Sequence, residues 1–573
     1  MTDFSIESIP FNSESISELG LLDSMHRNWP VVYTLSNSNE IYVGETVNAA
    51  SRLSQHFSSD SKKGLNLVRI FFNSRFNKSA CLDLESQLIK LFAADEKFKV
   101  LNSNLGISDA NYFDKEEYSE SFNLLFEELR LQGWLTRTVP ELVNSNLFKY
   151  SPFKTLNSEQ VQAVSSILES LIKSRNTKTG GPIVIEGDPG TGKTIVAIYL
   201  IKLLQDISHL SNENVIDSDS VFAEYLTSAN RDLFKNMRIG LVIPQQALRA
   251  TLMKVFSKTP GLRRDMILTP FAVGSSDERW DLLIVDETHR LGMRAQQPHP
   301  SLNLMFGNNN VKLFGNDDNK YTHLDWILKQ SNSQVLLLDT EQTIKPADLP
   351  RNLLESVISN SKETGSYIRL ASQMRVQGGE DYIEFIKKLF TDDPQPNPGF
   401  GNYELKLFDS FAEMQNAIIQ KNNKFGLSRL LAGYAWDWVS KKDHTKPDID
   451  IEGIKLFWNR TDKDWINSPT SVEEVGSIHT IQGYDLNYAG VIIGPDLDFD
   501  PNTKRIVFNR SNYFDANGKI NNKKLGITYS DDEIRNWVIN IYRVLLTRGI
   551  RGTYIYVVDP KLREFFRTRI NDS

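Results

Sequence analysis

Ile183-Val184-Ile185-Glu186-Gly187-Asp188-Pro189-Gly190-Thr191-Gly192-Lys193-Thr194, running on into Ile195-Val196-Ala197-Ile198-Tyr199-Leu200, decides the fold of this chain. A short β-branched run reads as a buried strand, and the apolar stretch after it reads as a helix. Between them lies a glycine-rich turn, and strand, turn and helix in that order are the setting a phosphate-cradling loop requires. Gly187, Gly190, Thr191 and Gly192 let the backbone curl so that its N–H groups face phosphate oxygens, and the helix N-terminus adds positive potential. Lys193 is placed to reach the terminal phosphates and the Thr194 hydroxyl to hold Mg²⁺. The expectation is a site that binds and hydrolyses a nucleoside triphosphate.

Downstream, Leu282-Leu283-Ile284-Val285-Asp286-Glu287-Thr288-His289 supplies the second half of such a site. A buried strand delivers Asp286 to its C-terminal edge, where a carboxylate completes the Mg²⁺ shell. Glu287 is placed to orient or deprotonate the attacking water. Further buried runs, Gly240-Leu241-Val242-Ile243 and Val335-Leu336-Leu337-Leu338, mark a parallel sheet covered on both faces. A second series includes Ile368-Arg369-Leu370, Gly490-Val491-Ile492-Ile493 and Tyr554-Ile555-Tyr556-Val557-Val558, and two series predict two α/β lobes. Low-hydrophobicity stretches at 206–237 and 292–331 read as insertions.

A length of 573 residues exceeds one hydrophobic core, and 40% apolar with 24% charged residues describes a globular chain. The formal charge of −7 does not point to nucleic acid, although a local basic stripe is what binding needs. The one cysteine, Cys81, excludes an internal disulfide or a thiolate zinc cluster, and among apolar neighbours it reads as core. No secretory signal or stretch of about 20 apolar residues is visible. A cytoplasmic location without membrane attachment is expected.

Several segments follow in the order of helicase motifs. Leu156-Asn157-Ser158-Glu159-Gln160 precedes the first strand, where superfamily 1 helicases place a glutamine that reads adenine, so ATP is the expected nucleotide. Leu338-Asp339-Thr340-Glu341-Gln342 resembles the motif whose glutamine couples triphosphate to the nucleic-acid groove. Gln373-Met374-Arg375 and Thr547-Arg548-Gly549 offer arginines to stabilise charge on the γ-phosphate. Gly476-Ser477-Ile478-His479-Thr480-Ile481-Gln482-Gly483 resembles the segment contacting phosphate and nucleic-acid backbone, with Gln482 as its polar contact. With Asp286-Glu287-Thr288-His289-Arg290-Leu291, Leu431-Ala432-Gly433-Tyr434-Ala435-Trp436 and Val491-Ile492-Ile493-Gly494-Pro495-Asp496, residues from about 180 to 560 resemble the Schlafen group 3-like DNA/RNA helicase domain. That resemblance implies two RecA-like lobes, ATP in a cleft, and single-stranded nucleic acid as partner. Tyr434, Trp436, Trp438, Trp458 and Trp465 either stack on bases or pack the second lobe, and packing is favoured.

Nearer the start, Val31-Val32-Tyr33 and Tyr42-Val43-Gly44 flank the turn Ser36-Asn37-Ser38-Asn39 and predict a hairpin. These two strands resemble those that name the GIY-YIG nuclease family, with Val-Val-Tyr in place of Gly-Ile-Tyr. The resemblance implies a catalytic set of Tyr33, Tyr42, Arg52, His56, Glu85 and Asn102. Arg52 and His56 share one helix face, and Glu85 would hold a single Mg²⁺, or Mn²⁺ in its place.

The expected organisation is α/β throughout. An extension covers 1–28, a small GIY-YIG-like α/β domain 29–105, and a helical connector 106–154 with a helix near 115–131. RecA-like parallel-sheet lobes follow at 155–345 and 346–573. The leading functional expectation is an ATP-dependent nuclease-helicase or translocase on nucleic acid, DNA ahead of RNA. The architecture suits restriction of foreign DNA such as phage genomes, or DNA repair. An ATP-dependent nucleic-acid sensor or switch and an RNA-directed helicase are the alternatives, and a homo-oligomer or a protein partner stays open.

Overall fold

The computed structural model describes residues 4–21, 24–59, 62–102, 112–153, 156–177, 181–209, 221–294, 300–391, 397–461, 465–481 and 484–570. The chain divides into two compact units: Met1–Lys178 with Thr194–Met237 and Thr251–Met266, and Thr179–Lys193 with Arg238–Ala250 and Ile267–Ser573.

The first unit contains a five-stranded sheet made of β1 (Ser5–Pro10), β2 (Val31–Ser36), β3 (Glu40–Thr46), β4 (Leu67–Phe72) and β5 (Lys99–Val100), in the order β1-β4-β2-β3-β5. The predicted hairpin is β2–β3. The Asn37 carboxamide oxygen closes its turn by accepting from the backbone N–H of Asn39 and Glu40 at 2.8 and 2.7 Å. Every residue of β2 is buried, as a central strand requires. Helices Ala49–Phe57 and Lys78–Asp95 are N-capped by Asn48 and Asn77. Lys115–Leu131 forms the helix expected there, burying Tyr118, Phe122, Leu125, Phe126 and Leu129 on one face.

The expected start of the small domain at residue 29 is corrected here, because β1, within the expected extension, pairs antiparallel with β4 from Ser5↔Phe72 to Pro10↔Leu67. An edge strand has a solvated side, so Ser5, Glu7 and Ser8 are tolerated, and polar composition hid the strand.

The second unit holds two parallel sheets. The first comprises β6 (Ile183–Gly187), β7 (Ile239–Val242), β8 (Ile267–Leu268), β9 (Trp280–Val285), β10 (Ser331–Leu338) and β11 (Tyr367–Leu370), in the order β11-β6-β10-β9-β7-β8. Here the expected lobe boundary at 345 is corrected. Strand β11, read from sequence as part of the second series, runs parallel to β6 with Tyr367↔Val184 and Leu370↔Gly187. Four residues with one buried side chain carry too little pattern to show which sheet they join. The low-hydrophobicity stretch at 292–331 folds as helices Pro300–Phe314 and His323–Gln330, the second closed by a Thr322/Asp325 capping box.

The remaining strands are β12 (Glu404–Phe408), β13 (Ser428–Ala432), β14 (Ile449–Ile451), β15 (Ile454–Leu456), β16 (Val475–Gly476), β17 (Leu486–Ile493), β18 (Leu497–Asp500), β19 (Arg505–Phe508) and β20 (Gly549–Val557). The second parallel sheet runs β12-β20-β17-β13-β16, while β14–β15 and β18–β19 are separate antiparallel pairs. All eight residues of β17 are buried, the uninterrupted burial of a strand covered on both faces. The aromatics favoured as packing do pack. Trp465 is 1% exposed and its indole N–H donates to Glu474 Oε2 at 2.8 Å, and Trp458 lies edge-on to Tyr434 with ring centres 4.8 Å apart. Among the described residues no helix is long and apolar enough to cross a membrane.

Candidate active sites

On the hairpin, the register sets Tyr33 opposite Gly44. A Cβ at Gly44 would lie 2.5 Å from the Tyr33 hydroxyl, so glycine is what lets the Tyr33 side chain cross the neighbouring strand. The Gly44→Ala chain is expected to melt at a lower temperature, losing about 1–3 kcal/mol through overpacking, and unchanged melting by calorimetry would show that Tyr33 moves aside freely.

Tyr33 Oη lies 2.7 Å from Nε2 of His56, which with Arg52 sits on the helix Ala49–Phe57. The Tyr42 ring is 5.1 Å from the His56 ring, and Lys62 Nζ lies 3.8 Å above the Tyr42 ring. Burial, then the charges of Tyr42 and Glu85, raise the Tyr33 phenol well above its ordinary value, with Arg52 opposing. Arg52 and Glu85 thus both act electrostatically on the tyrosine they were expected to join. Burial, together with Arg52 and Lys62, lowers His56 to about 3, so its imidazole is neutral near pH 7. Burial and Arg52 likewise bring Lys62 down to about 8. Asn102 is buried and exchanges two hydrogen bonds with the Val43 backbone, at 3.0 Å and 2.7 Å, extending the strand beside Tyr42. Cys81 is buried and its thiol is pushed up by burial, in keeping with a core role.

Glu85 lies half-buried on the helix Lys78–Asp95. Among the described residues no three His, Cys, Asp or Glu side chains gather as a metal cluster. A site with one carboxylate fits Mg²⁺, which keeps water and phosphate oxygens in most of its coordination sphere.

His56 shares its low pKa with the buried imidazole of His323. His323 is also lowered to about 3, burial being the first cause. Their ordinary value is 6.5, so between pH 6.5 and 4 the unfolded chain takes up protons that the folded chain refuses. Stability is therefore full above pH 6.5 and falls on acidification, by at most about 1.4 kcal/mol per pH unit for each histidine. Melting temperatures measured from pH 7 to pH 4 are expected to drop steadily. A flat profile would show that these imidazoles protonate in place.

In the second unit, Gly187 ends β6, and Gly190 and Gly192 adopt φ of +90° and +83°. Those left-handed conformations are where side chains are strained, so the loop's glycines are conformational necessities. Lys193 turns back to donate to the Gly187 and Asp188 carbonyls. The Thr191 hydroxyl donates to the Asp188 carbonyl at 3.0 Å. Thr194 is the second residue of the helix Lys193–Ser208. Two contacts not anticipated from sequence brace the loop. Gln373 Nε2 donates to the Pro189 carbonyl at 2.8 Å while its Oε1 accepts from the backbone N–H of Arg375, and Lys387 Nζ pairs with Asp188 Oδ1 at 2.7 Å.

Asp286, directly after strand β9 and fully buried, has its Oδ1 accepting from the Glu287 N–H at 3.0 Å. Glu287 has φ of +52°, and its Oε2 lies 3.0 Å from His289 Nε2. His289 Nδ1 accepts from the Asp339 N–H at 3.2 Å, and Asp339 Oδ2 accepts from Gln342 Nε2 at 2.7 Å. One chain of contacts therefore joins Glu287 to Gln342. Burial works to raise the Glu287 carboxyl, but the hydrogen bond from His289, with the charges of Lys193 and Arg290, outweighs it and holds the group well below the usual range. Arg375 pairs with Asp485, and Arg548 is buried with NH1 3.5 Å from the Tyr484 carbonyl. Gln160 is buried at the start of the helix Ser158–Thr177, where its Oε1 accepts from the Asn157 N–H at 3.2 Å. Gln482 lies outside the described residues.

The family model described as the Schlafen group 3 DNA/RNA helicase domain matches residues 182–559, from β6 and its loop to the end of β20. The chain belongs to this family. The helicase domain is preceded by a match to the GIY-YIG catalytic domain over residues 30–99, so nuclease and helicase-like domains stand in one chain. An uncharacterized protein of Saccharomyces cerevisiae is 24% identical over 445 residues, covering 72% of this chain and 90% of that protein. Among solved structures, a DEAD box protein from the hyperthermophile Methanococcus jannaschii matches 72% of this chain and 94% of its own at 13% identity, with a TM-score of 0.22. A helicase domain implies bound nucleotide and a GIY-YIG domain implies a divalent metal.

His289, Asp339, Gln373 and Lys387 were missed as site residues. His289 stood inside a quoted motif, and its spacing from Glu287 was the available signal. Lys387 lies in the helix Gly379–Leu389, and nothing local to that helix shows which carboxylate it meets.

Proposed function

We propose that this chain is an ATP-driven nuclease acting on DNA. The observation that carries the proposal is the pairing of Tyr33 with a neutral His56 beside Arg52 and Glu85. A phenol raised by burial is a poor free base. With its hydroxyl donating to the neutral His56 Nε2, the Tyr33 oxygen keeps lone pairs that orient the attacking water by accepting its hydrogen bond. Arg52 clamps the scissile phosphate through its planar guanidinium fork. Glu85 would hold a divalent ion that supplies stabilisation to charge on the leaving oxygen.

At the loop, Lys193 would receive the terminal phosphates, Thr194 and Asp286 would hold the Mg²⁺, and Glu287 would orient the water. Arg375 and Arg548 stabilise the charge that develops on the phosphoryl group. A deoxyribose substrate is the working choice. The test is cleavage of single- and double-stranded DNA and RNA by purified protein with Mg²⁺ or Mn²⁺, with and without ATP. Cleavage of DNA stimulated by ATP supports the reading. A folded protein that cuts none of these polymers sinks it, and cutting confined to RNA reassigns the substrate.

A further inference from the structure

The second unit also contains a cavity of about 480 Å³, a size typical of small-ligand pockets. Four arginines line it, Arg351, Arg505, Arg535 and Arg543, against one carboxylate, Glu341. They come from separate elements. Arg351 opens the helix Arg351–Glu363, Arg505 opens β19, and Arg535 and Arg543 lie about two turns apart on the helix Asp531–Leu546. Like charges brought together by independent elements repel one another unless an anion sits among them.

The carboxylates at hand offset this only partly. Arg351 shares Glu341 at 3.1 Å and Glu355 at 2.9 Å, and Arg535 meets the exposed Asp532 at 2.9 Å. Arg543 has no carboxylate within ion-pair distance among the described residues. Its NH1 donates to Asn540 at 3.3 Å and its NH2 to the Lys387 carbonyl, while its Nε is buried with no hydrogen-bond partner. A buried guanidinium N–H left unmatched beside a polar cavity is a donor waiting for an acceptor. Guanidinium forks match the paired oxygens of phosphate groups, and several at once select a multiply phosphorylated ligand over a single carboxylate.

We propose that this cavity binds a multiply phosphorylated ligand, at a site separate from the glycine loop. Free polyphosphate and consecutive phosphates of a nucleic-acid strand present the same chemistry. The experiment uses the full chain carrying Lys193→Ala, which disables the loop's own phosphate grip, titrated calorimetrically with inorganic tripolyphosphate and separately with oligothymidylate. Saturable binding of one or both probes is expected to persist in that background. Adding Arg535→Ala, or the exposed Arg505→Ala, should weaken it about tenfold each, the loss of one charge-assisted contact. Melting curves of both variants establish that they are folded. Arginine-dependent binding of tripolyphosphate assigns a free ligand, and arginine-dependent binding of oligothymidylate alone assigns a strand. Absence of binding by either probe, or binding indifferent to both arginines, overturns the proposal.

Discussion

Replacing Glu85 by alanine is expected to reduce strand cleavage by about 10³-fold or more while leaving ATP hydrolysis within about twofold of wild type. Glu85 is the carboxylate that acts on Tyr33 from the helix Lys78–Asp95, and no three-membered cluster of alternative ligands is present among the described residues. In the proposed nuclease Glu85 is the ligand, so its loss would release the ion, and an ion stabilising a developing oxyanion supplies several kcal/mol, with each 1.4 kcal/mol worth about tenfold. Folding should survive, because a half-buried side chain at the site edge contributes little to the core formed by Leu84 and Leu88. The measurement pairs a strand-cleavage assay with a phosphate-release assay on the same preparation. Undiminished cutting would remove Glu85 from the metal site, and a parallel loss of ATP hydrolysis would mean that the substitution disturbs the whole chain.

The two sites were legible in sequence to different depths. Around the loop, the chemistry is local: glycine, lysine and threonine follow one another, and strand and helix flank them, so Gly187 to Thr194 could be read without a fold. The second half, Asp286 and Glu287, rides at the end of a strand whose apolar run announces it. What escaped reading is what comes from afar. Lys387 meets Asp188 across 199 residues, Gln373 meets Pro189 across 184, and no periodicity encodes either pairing. The same limit explains strand β11, whose partner β6 lies far earlier in the chain. Polar edge strand β1 was missed for a different reason, since one solvated face and one short span leave no alternating signal. On the hairpin, the tyrosines could be named from their motif, yet the direct Tyr33–His56 contact and the neutral state of His56 emerge only from burial. Lys62 joined the site unannounced, its charge facing the Tyr42 ring.

Glu287→Gln is expected to lower ATP hydrolysis by about 10²–10⁴-fold while nucleotide still binds, the range general-base assistance supplies. Glutamine keeps the shape and an acceptor for the His289 contact but cannot carry the negative charge that Lys193, His289 and Arg290 now stabilise. Lys193→Ala, by contrast, is expected to weaken binding itself, because its ammonium is what the loop turns inward. The pH dependence separates a base from a bystander. His289 supplies the hydrogen bond that keeps the buried carboxyl ionised, and burial alone would raise it. Removing His289 should therefore move the acid limb of hydrolysis to higher pH, since the carboxylate then takes up its proton earlier on acidification. Phosphate release followed from pH 5 to pH 9, on wild type, Glu287→Gln and His289→Ala, reads this directly. Hydrolysis by Glu287→Gln at the wild-type rate would exclude the carboxylate as the group that orients water. Should Glu287→Gln bind ATP, fail to hydrolyse it and still cut DNA, nucleotide occupancy rather than turnover licenses the nuclease; if cutting stops as well, each cut depends on hydrolysis.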